Sequence, residues 1–556
     1  MKKVVTIWCV LVLAMFSFSY AGITGFTRSG EITVPEATLN NGGVGSMVSG
    51  VDLDADGKTE IYLVNDNWND GATEVIARIY KLEKNGTAWD VVWQSKLDPF
   101  YQNTWPVLLV TDLDGDSKQE LTWMPVNSFS DTTNPVRIAV YEQGTGDVLG
   151  VDDGASGYKP NSTWTITTEQ SINIRPIDAE AVDVDGDGST EIIFADRTGK
   201  TSGYYGAVCS VSNIPDNGDG SETWDLEVTG IDLGITTAAE NKWDVAVVGN
   251  NAYFFSETEI SKYIYNSGTG WSYEALSPLA GGSPVQSAMT VDLNKDGTKE
   301  IICAVYDWGD DTKKGIYLLQ EVADTLKPTE IFNLAAYWPG GSRGPWGGAS
   351  GDIDNDGNLD FIFGSRASTP NGLITCVSYT GGDITDPANY ELLMIDSLYS
   401  ATDADGIWSV LNIANIDDDP EKEVLYTSST PVGGMFSATA PIIVLDATVT
   451  INVIDPGSNH ITNLDNFRLQ QNYPNPFNAT TNIVFDVPSE KVVTLTIYNL
   501  LGKEVVTLVD RKLSVGTYTI TWNGLDRNGS PMSTGVYLYA VKNGNVTKVK
   551  RMTMVK

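Results

Sequence analysis

The chain is 556 residues long and carries 72 acidic against 35 basic residues, a formal net charge of −37. That length exceeds one ordinary hydrophobic core, so it calls for a repeat architecture with something smaller attached. The charge repels nucleic-acid phosphates and anionic membrane surfaces. The single histidine, His460, lies outside residues 22–450, which therefore offer no residue for Ser-His or Cys-His catalysis or for a His-ligated zinc.

Residues 1–21 open with Lys2 and Lys3, continue as an apolar run from Val4 to Phe18, and end on the small residues Ser19 and Ala21. This pattern predicts a secretory signal peptide cleaved after Ala21, with a core shorter than a bilayer span. Three cysteines follow, Cys209, Cys303 and Cys376, each inside an apolar run. Their odd number and wide spacing indicate buried thiols rather than a disulfide framework or a zinc site.

From residue 22 to residue 450 the chain reads as β throughout, in short runs rich in Val, Ile, Tyr, Thr and Trp broken by Gly, Asn, Asp and Pro. The first unit sets the pattern: strands over 45–51, 60–64, 75–82 and 89–96, with an acidic turn between the first two. That turn contains Asp52, Asp54, Asp56, Gly57 and Glu60, and an apolar run begins at once after it. Three carboxylates two residues apart repel one another unless a cation sits between them, and oxygen ligands at this density select calcium. An acid at the ninth position feeding a strand separates the turn from an EF-hand, whose loop runs to a glutamate at position twelve between helices.

The turn recurs. Asp112, Asp114, Asp116 and Glu120 form the second copy, Asp183, Asp185, Asp187 and Glu191 the third, and Asp292, Asn294, Asp296 and Glu300 the next. Asp352, Asp354, Asp356 and Asp360 follow, then Asn415, Asp417, Asp419 and Glu423. Position seven (Lys58, Lys118, Ser189, Thr298, Asn358, Glu421) is expected to offer its backbone carbonyl, so that positions 1, 3, 5, 7 and 9 hold one calcium ion between the first and second strands. Successive first positions are 60, 71, 109, 60 and 63 residues apart. Inside the long gap, strands over 243–249 and 252–256 joined by Asn250-Asn251 read as a seventh unit that kept the turn and lost the acids.

Four antiparallel strands at a period near sixty, seven times over, predict an all-β fold: a seven-bladed β-propeller over 22–450. The last unit shows strands at 424–427 and 441–446 and lacks a clear fourth, so residues 31–34 are expected to complete it and close the ring. The repeat resembles the FG-GAP and VCBS repeats of integrin-α-like propellers, on the evidence of Asp183-Val-Asp-Gly-Asp-Gly-Ser-Thr-Glu-Ile-Ile-Phe194 and Gly351-Asp-Ile-Asp-Asn-Asp-Gly-Asn-Leu-Asp-Phe-Ile-Phe-Gly364. Ser117 and Pro420 stand where that pattern has glycine.

Residues 451–466 are rich in Asp, Asn, Gly and Ser and read as a linker. Residues 467–556 carry 11 basic and 5 acidic residues, opposite in sign to the rest, with strands expected at 482–487, 492–498, 516–522 and 535–541. This tail resembles the type A C-terminal sorting domain of the type IX secretion system, a small Ig-like β-sandwich. The resemblance rests on Gln471-Asn-Tyr-Pro-Asn-Pro-Phe-Asn478, Ile497-Tyr-Asn-Leu-Leu-Gly502, Gly516-Thr-Tyr518, Ser533-Thr-Gly-Val-Tyr537 and the basic end. It implies export through the periplasm by the type IX machinery to the medium or the outer cell surface.

Opposite the acidic turns, the connections that enter first strands and those that join second to third strands gather aromatic, Arg and Asp residues. Trp68, Tyr101, Trp105, Arg175, Arg197, Trp308, Arg343, Trp346, Arg366 and Trp408 are the candidates for a ligand rim, since sugar faces stack on rings while hydroxyls meet charged groups. A Trp at the start of an inner strand also serves to pack between blades. Two functions are expected. One is a calcium-stabilised module that binds an extracellular glycan or protein in adhesion or recognition. The other is a carbohydrate-active enzyme, a polysaccharide lyase or glycosidase, using rim carboxylates or Tyr/Arg; no catalytic residue is singled out.

Overall fold

The computed structural model describes residues 26–555 apart from 37–42, 67–75, 103–104, 128–133, 155–156, 170, 237–240, 280–281, 283, 307–314, 324, 335–344, 354–356, 367–372, 398–406, 418–421, 430–439, 448–468, 470–471, 473–474, 476, 479, 488–490, 500–502, 514–515, 528–529 and 544–545. The expected signal peptide and linker lie outside the described residues. Gly25–Thr448 forms one compact unit and Val449–Lys556 belongs to a second.

Among the described residues the larger unit holds seven antiparallel sheets, each built on four strands, and a two-stranded one that pairs Val151–Asp152 with Tyr158–Lys159. The first is Val44–Val51, Glu60–Asn65, Ile76–Asn85 and Ala88–Tyr101. The first strands of the next five begin at Val107, Pro176, Asp244, Met289 and Pro345, and the seventh sheet starts with Val410–Ala414. Ile407–Trp408 adds a short strand to the sixth sheet. Each first strand lies against the first strand of the next sheet, and that of the seventh lies against that of the first.

The second strands are buried from end to end, as in Glu60–Asn65, Glu191–Asp196 and Glu300–Val305. Alternate side chains of a strand point to opposite faces. Ile61 and Leu63 accordingly join a core shared with Leu425 and Val444 of the seventh sheet, while Tyr62 and Val64 join one shared with Leu121 and Trp123 of the second. A strand covered on both faces reads as a continuous apolar run rather than an alternating one, and such a run stands directly after every acidic turn. Burying each such Leu, Ile or Phe stabilises the fold by about 1.5–3 kcal/mol. Cys209, Cys303 and Cys376 are buried free thiols in these cores.

The fourth strand of the seventh sheet comes from the start of the chain. Phe26–Ile32 pairs antiparallel with Ile442–Ala447, Glu31 facing Ile443 and Ile32 facing Ile442. The pairing begins earlier than residues 31–34 suggest, because Arg28 is anchored: its Nε donates to Asp396 Oδ2 at 2.8 Å and Nη2 to the Tyr426 hydroxyl at 2.9 Å. The fourth sheet turns at Gly249-Asn250, with Gly249 at φ 56°, between Asp244–Val248 and Asn251–Phe255.

Among the described residues the C-terminal unit has six strands. Thr481–Val487 pairs with Gly516–Trp522, and a second sheet runs Glu504–Leu513, Lys491–Asn499, Gly535–Asn543, Val546–Met554. Both close on one core containing Phe485, Leu495, Trp522 and Tyr539. This is the expected Ig-like arrangement with two strands added, Glu504–Leu513 and Val546–Met554. Their outward charged residues hide the strand pattern in the sequence.

Arg28→Ala removes charge-assisted hydrogen bonds that tie the closing strand to the sixth and seventh sheets. It should lower the unfolding free energy by about 1–3 kcal/mol in denaturant titration of the intact chain.

Candidate functional site: the acidic turns and the central cavity

In all six acidic turns the carboxylate at position nine is buried and accepts a hydrogen bond from the backbone N–H at position two. The pairs are Leu53 N to Glu60 at 2.9 Å, Leu113 N to Glu120 at 2.6 Å and Val184 N to Glu191 at 2.8 Å. They continue with Leu293 N to Glu300 at 3.1 Å, Ile353 N to Asp360 at 2.9 Å and Ile416 N to Glu423 at 2.7 Å. Position one folds the turn over itself: Asp52 accepts from the amides of Asp56 and Gly57, Asp183 from Gly186 and Gly188, and Asp292 from Asp296 and Gly297. Positions three and five each accept the amide two residues on, as Asp185 does from Asp187 and Asp187 from Ser189.

This chain of turns requires left-handed backbone at position six, occupied by Gly57, Gly188, Gly297 and Gly357 at φ between 86° and 96°. In the second turn Ser117 holds that conformation at φ 73°. A non-glycine residue there is strained by about 1–2 kcal/mol.

The carboxylate oxygens of Asp112, Asp114, Asp116 and Glu120 lie within 4.8 Å of one another, as do those of Asp183, Asp185, Asp187 and Glu191. Asp52, Asp54 and Glu60 form a third such group. Each can hold a metal, and an all-oxygen donor set on a flexible turn fits a hard divalent cation. In the fifth acidic turn Asp352 Oδ1 is buried with no hydrogen-bond partner among the described residues while Oδ2 accepts from Gly357 N, so an oxygen is available to an ion. Asp354, Asp356, Asp419 and Glu421 lie outside the described residues. Asn358, Asn415 and Asp417 sit in their turns, and the side chain of Asn294 donates to Asp296 Oδ2 at 2.9 Å. Thr298 donates its amide to Asp296.

Without a counter-charge these turns are electrostatically loaded. Burial pushes the Glu120 and Glu191 carboxyls up to about 8, against the hydrogen bond from position two and helped by neighbouring carboxylates. Burial raises Glu300 as well. The Lys118 side chain lies 3.3 Å from Asp116 of its own turn and also pairs with Glu142 and with Asp216 at 2.6 Å. The first turn differs: Lys58 pairs with Asp56 and Glu83, and a second lysine, Lys81, reaches in from the third strand.

The first strands line a cavity of about 210 Å³, with Met47, Leu109, Ala179, Asp244, Gly348 and Leu411 in its wall and Ser287 just ahead of the fifth sheet. Asp178 and Asp244 share its wall. Val245 N donates to Asp178 Oδ2 at 3.1 Å and Ala288 N to Asp244 Oδ2 at 2.9 Å. Burial raises both carboxyls, Asp244 the further because Asp178 faces it. Glu180, next on the same face, accepts from Thr290 Oγ1 at 2.8 Å and is pushed up to about 7 by burial. The sequence offers no signal for this group, since acids on two strands, Pro176–Val182 and Asp244–Val248, meet only when the strands converge.

The described members of the expected rim are interior. Trp105 and Trp346 are buried with ring centroids 5.5 Å apart, joined by Trp243 and Tyr306 at 6.1 and 4.6 Å from Trp346. The Arg197 guanidinium lies 5.0 Å over the Trp105 ring, and Arg175 Nε donates to the Asn127 carbonyl at 3.0 Å. Trp408 is buried against Tyr426, in the strand that links the sixth sheet to the seventh. As placed, these side chains are buried among the sheets, and Trp105 also lines the cavity. Trp68, Trp308 and Arg343, and the side chains of Tyr101 and Arg366, lie outside the described residues.

Residues 475–546 match the FlgD Ig-like domain model. No protein of curated function matches the chain. Among solved structures the chain is similar to PorZ, a surface component of the type-IX secretion system of Porphyromonas gingivalis, at TM-score 0.26 and 10% identity over 92% of this chain and 81% of that one. It is similar to the Bacillus licheniformis rhamnogalacturonan lyase PL11 at TM-score 0.37 and 17% identity over 72% and 71% of the two chains. The intramolecular trans-sialidase of Ruminococcus gnavus gives TM-score 0.34 and 13% identity over 76% and 97%.

Ser117→Gly relieves left-handed strain at some entropic cost to the unfolded chain, and should raise stability by about 0.5–1 kcal/mol in thermal or denaturant unfolding. For the pH dependence, Glu120 and Glu191 have folded pKa values above the ordinary glutamate value near 4.3. The stability tied to their protonated forms is therefore complete below that value and lost as pH rises through about 8. Calorimetry in chelator should show the melting temperature falling from pH 5 to pH 9, and a divalent cation should flatten that fall.

Proposed function

We propose that Gly25–Thr448 is a seven-bladed β-propeller whose acidic turns bind calcium, and that it acts outside the cell as a recognition module for a glycan or protein. The observation that carries this reading is the same clamp built six times, position nine onto position two, around an oxygen-only set of ligands. A catalytic constellation needs to occur once, whereas a structural ion repeats with the unit it stabilises. Seven sheets with cyclically adjacent first strands, and a closing strand from residues 26–32, support the propeller.

Export by the type IX secretion system is the second half of the proposal. It is supported by the basic tail motifs and by the six-stranded Ig-like unit that contains them. A chain lacking residues 467–556, expressed in a host with that machinery, should stay in the periplasm while the full chain reaches the surface or medium.

A carbohydrate-active enzyme is the second reading, and the Asp178–Asp244 pair in the cavity is the feature that keeps it in view. A glycan array combined with a product assay on the full chain separates the two: binding without turnover supports recognition, and product formation abolished by Asp244→Asn supports catalysis. For calcium, an ion at ten times its dissociation constant adds about 1.4 kcal/mol per site. Chelation should therefore lower the melting temperature by several degrees and calcium should restore it; an unchanged melting temperature overturns the calcium reading.

A further inference from the structure

The first acidic turn differs from the others in the side chain that stands under it. Lys81 Nζ lies 2.9 Å from Asp54 Oδ2, 2.6 Å from Glu60 Oε1, 3.0 Å from Glu83 Oε1 and 3.1 Å from Asp147 Oδ1. The lysine and Glu60 side chains are both 0% exposed, and that of Asp54 is 2% exposed. Asp54 and Glu60 are positions three and nine, two of the ligands that a divalent ion in this turn would need.

The sheet register shows that this lysine is a substitution at a defined place. Counting two residues past position nine on the second strand, Tyr62 faces Lys81 on the third. The same count gives Val140, Val208, Leu318, Cys376 and Val444 in the second, third, fifth, sixth and seventh sheets. The fourth sheet, which lacks the acids, gives Lys262 opposite Tyr253. Lys262 Nζ pairs there with Glu321 Oε1 at 2.7 Å and sits 5.7 Å from the Tyr253 ring. A lysine thus occupies this register in the sheet with no acidic turn and in one sheet that has it. The other five acidic turns stand over an uncharged side chain.

We infer that the first turn is closed by the Lys81 ammonium in place of a divalent ion, so that this unit is metal-independent while the other acidic turns remain candidates for calcium. An ammonium and a calcium ion sharing Asp54 and Glu60 would lie within a few ångströms of each other, and their repulsion at that depth excludes joint occupancy. Four carboxylate oxygens within 3.1 Å surround the ammonium and supply the counter-charge that a buried cation needs. The inference rests on the calcium reading only for the occupant of the other turns.

The test counts calcium per chain by equilibrium dialysis for the wild type, Lys81→Met, Val140→Lys and Asp187→Ala, with folding checked by circular dichroism. Lys81→Met should bind one calcium more than the wild type and lose roughly 5 °C in chelator, regained on adding calcium. Val140→Lys, which transplants the ammonium beneath the second turn, should bind one fewer, as should Asp187→Ala, which damages the third turn. A count unchanged in Lys81→Met while Asp187→Ala loses one overturns the inference and leaves the calcium reading standing. Calcium taken up by Lys81→Met when the wild type binds none supports the inference and overturns the calcium reading. No uptake by any of the four overturns both. If Lys81→Met does not fold, Val140→Lys decides: one calcium lost supports the inference, and a full count overturns it.

Discussion

The hydrogen bond from the amide of turn position two to the carboxylate of position nine is the constraint on which the repeated unit depends. It fixes where the second strand begins relative to the end of the first. In all six cases the last residue before the turn faces position nine across the sheet: Val51 with Glu60, Thr111 with Glu120, Val182 with Glu191, Val291 with Glu300, Gly351 with Asp360 and Ala414 with Glu423. A slip of one residue would exchange the two faces of a strand that is buried on both. The turn therefore determines which side chains meet the preceding sheet and which meet the following one.

Holding a carboxylate that deeply has an electrostatic consequence, and the chain meets it in three ways. In the second turn Lys118 reaches only the outer acid Asp116, in the third the four acids converge, and in both the buried glutamate is forced toward its neutral form unless a cation arrives. In the first, a lysine from the neighbouring strand supplies the charge. In the fourth sheet the acids are absent, and Asn251 stands where position nine would be, donating to Glu321 instead. The backbone geometry tolerates all three because the register is held by main-chain pairing once the strands are in place.

Much of this was legible in the sequence, for a physical reason: the turn is local. Acids two apart, a glycine at the left-handed position and an apolar run directly after are properties of a dozen consecutive residues, so the six turns, most of the strands and the odd fourth unit could be read directly. The closing strand could be placed from a missing fourth partner, though its extent could not, since Arg28 finds Asp396 only in the folded ring. Lys81 was invisible for the same reason, standing 21 residues from Glu60 and meeting it only through strand register. The described rim candidates Trp105 and Trp346 pack together with Trp243 because distant segments of the chain converge, which no local stretch of sequence reveals. In the tail, Val546–Met554 alternates Lys and Arg with apolar residues, and this disguised a strand as a basic end.

The pairing of Phe26–Ile32 with Ile442–Ala447 joins positions some four hundred residues apart. Contacts that distant in sequence are the slow step of folding, because the cost of closing the loop is met before the contact rewards it. Until closure the strand 442–447 exposes a free edge able to template pairing with another copy. For any chain made from its N-terminus, the seam can form only after residues 442–447 exist, so Phe26–Ile32 must stay unpaired until almost the whole of the larger unit has been made.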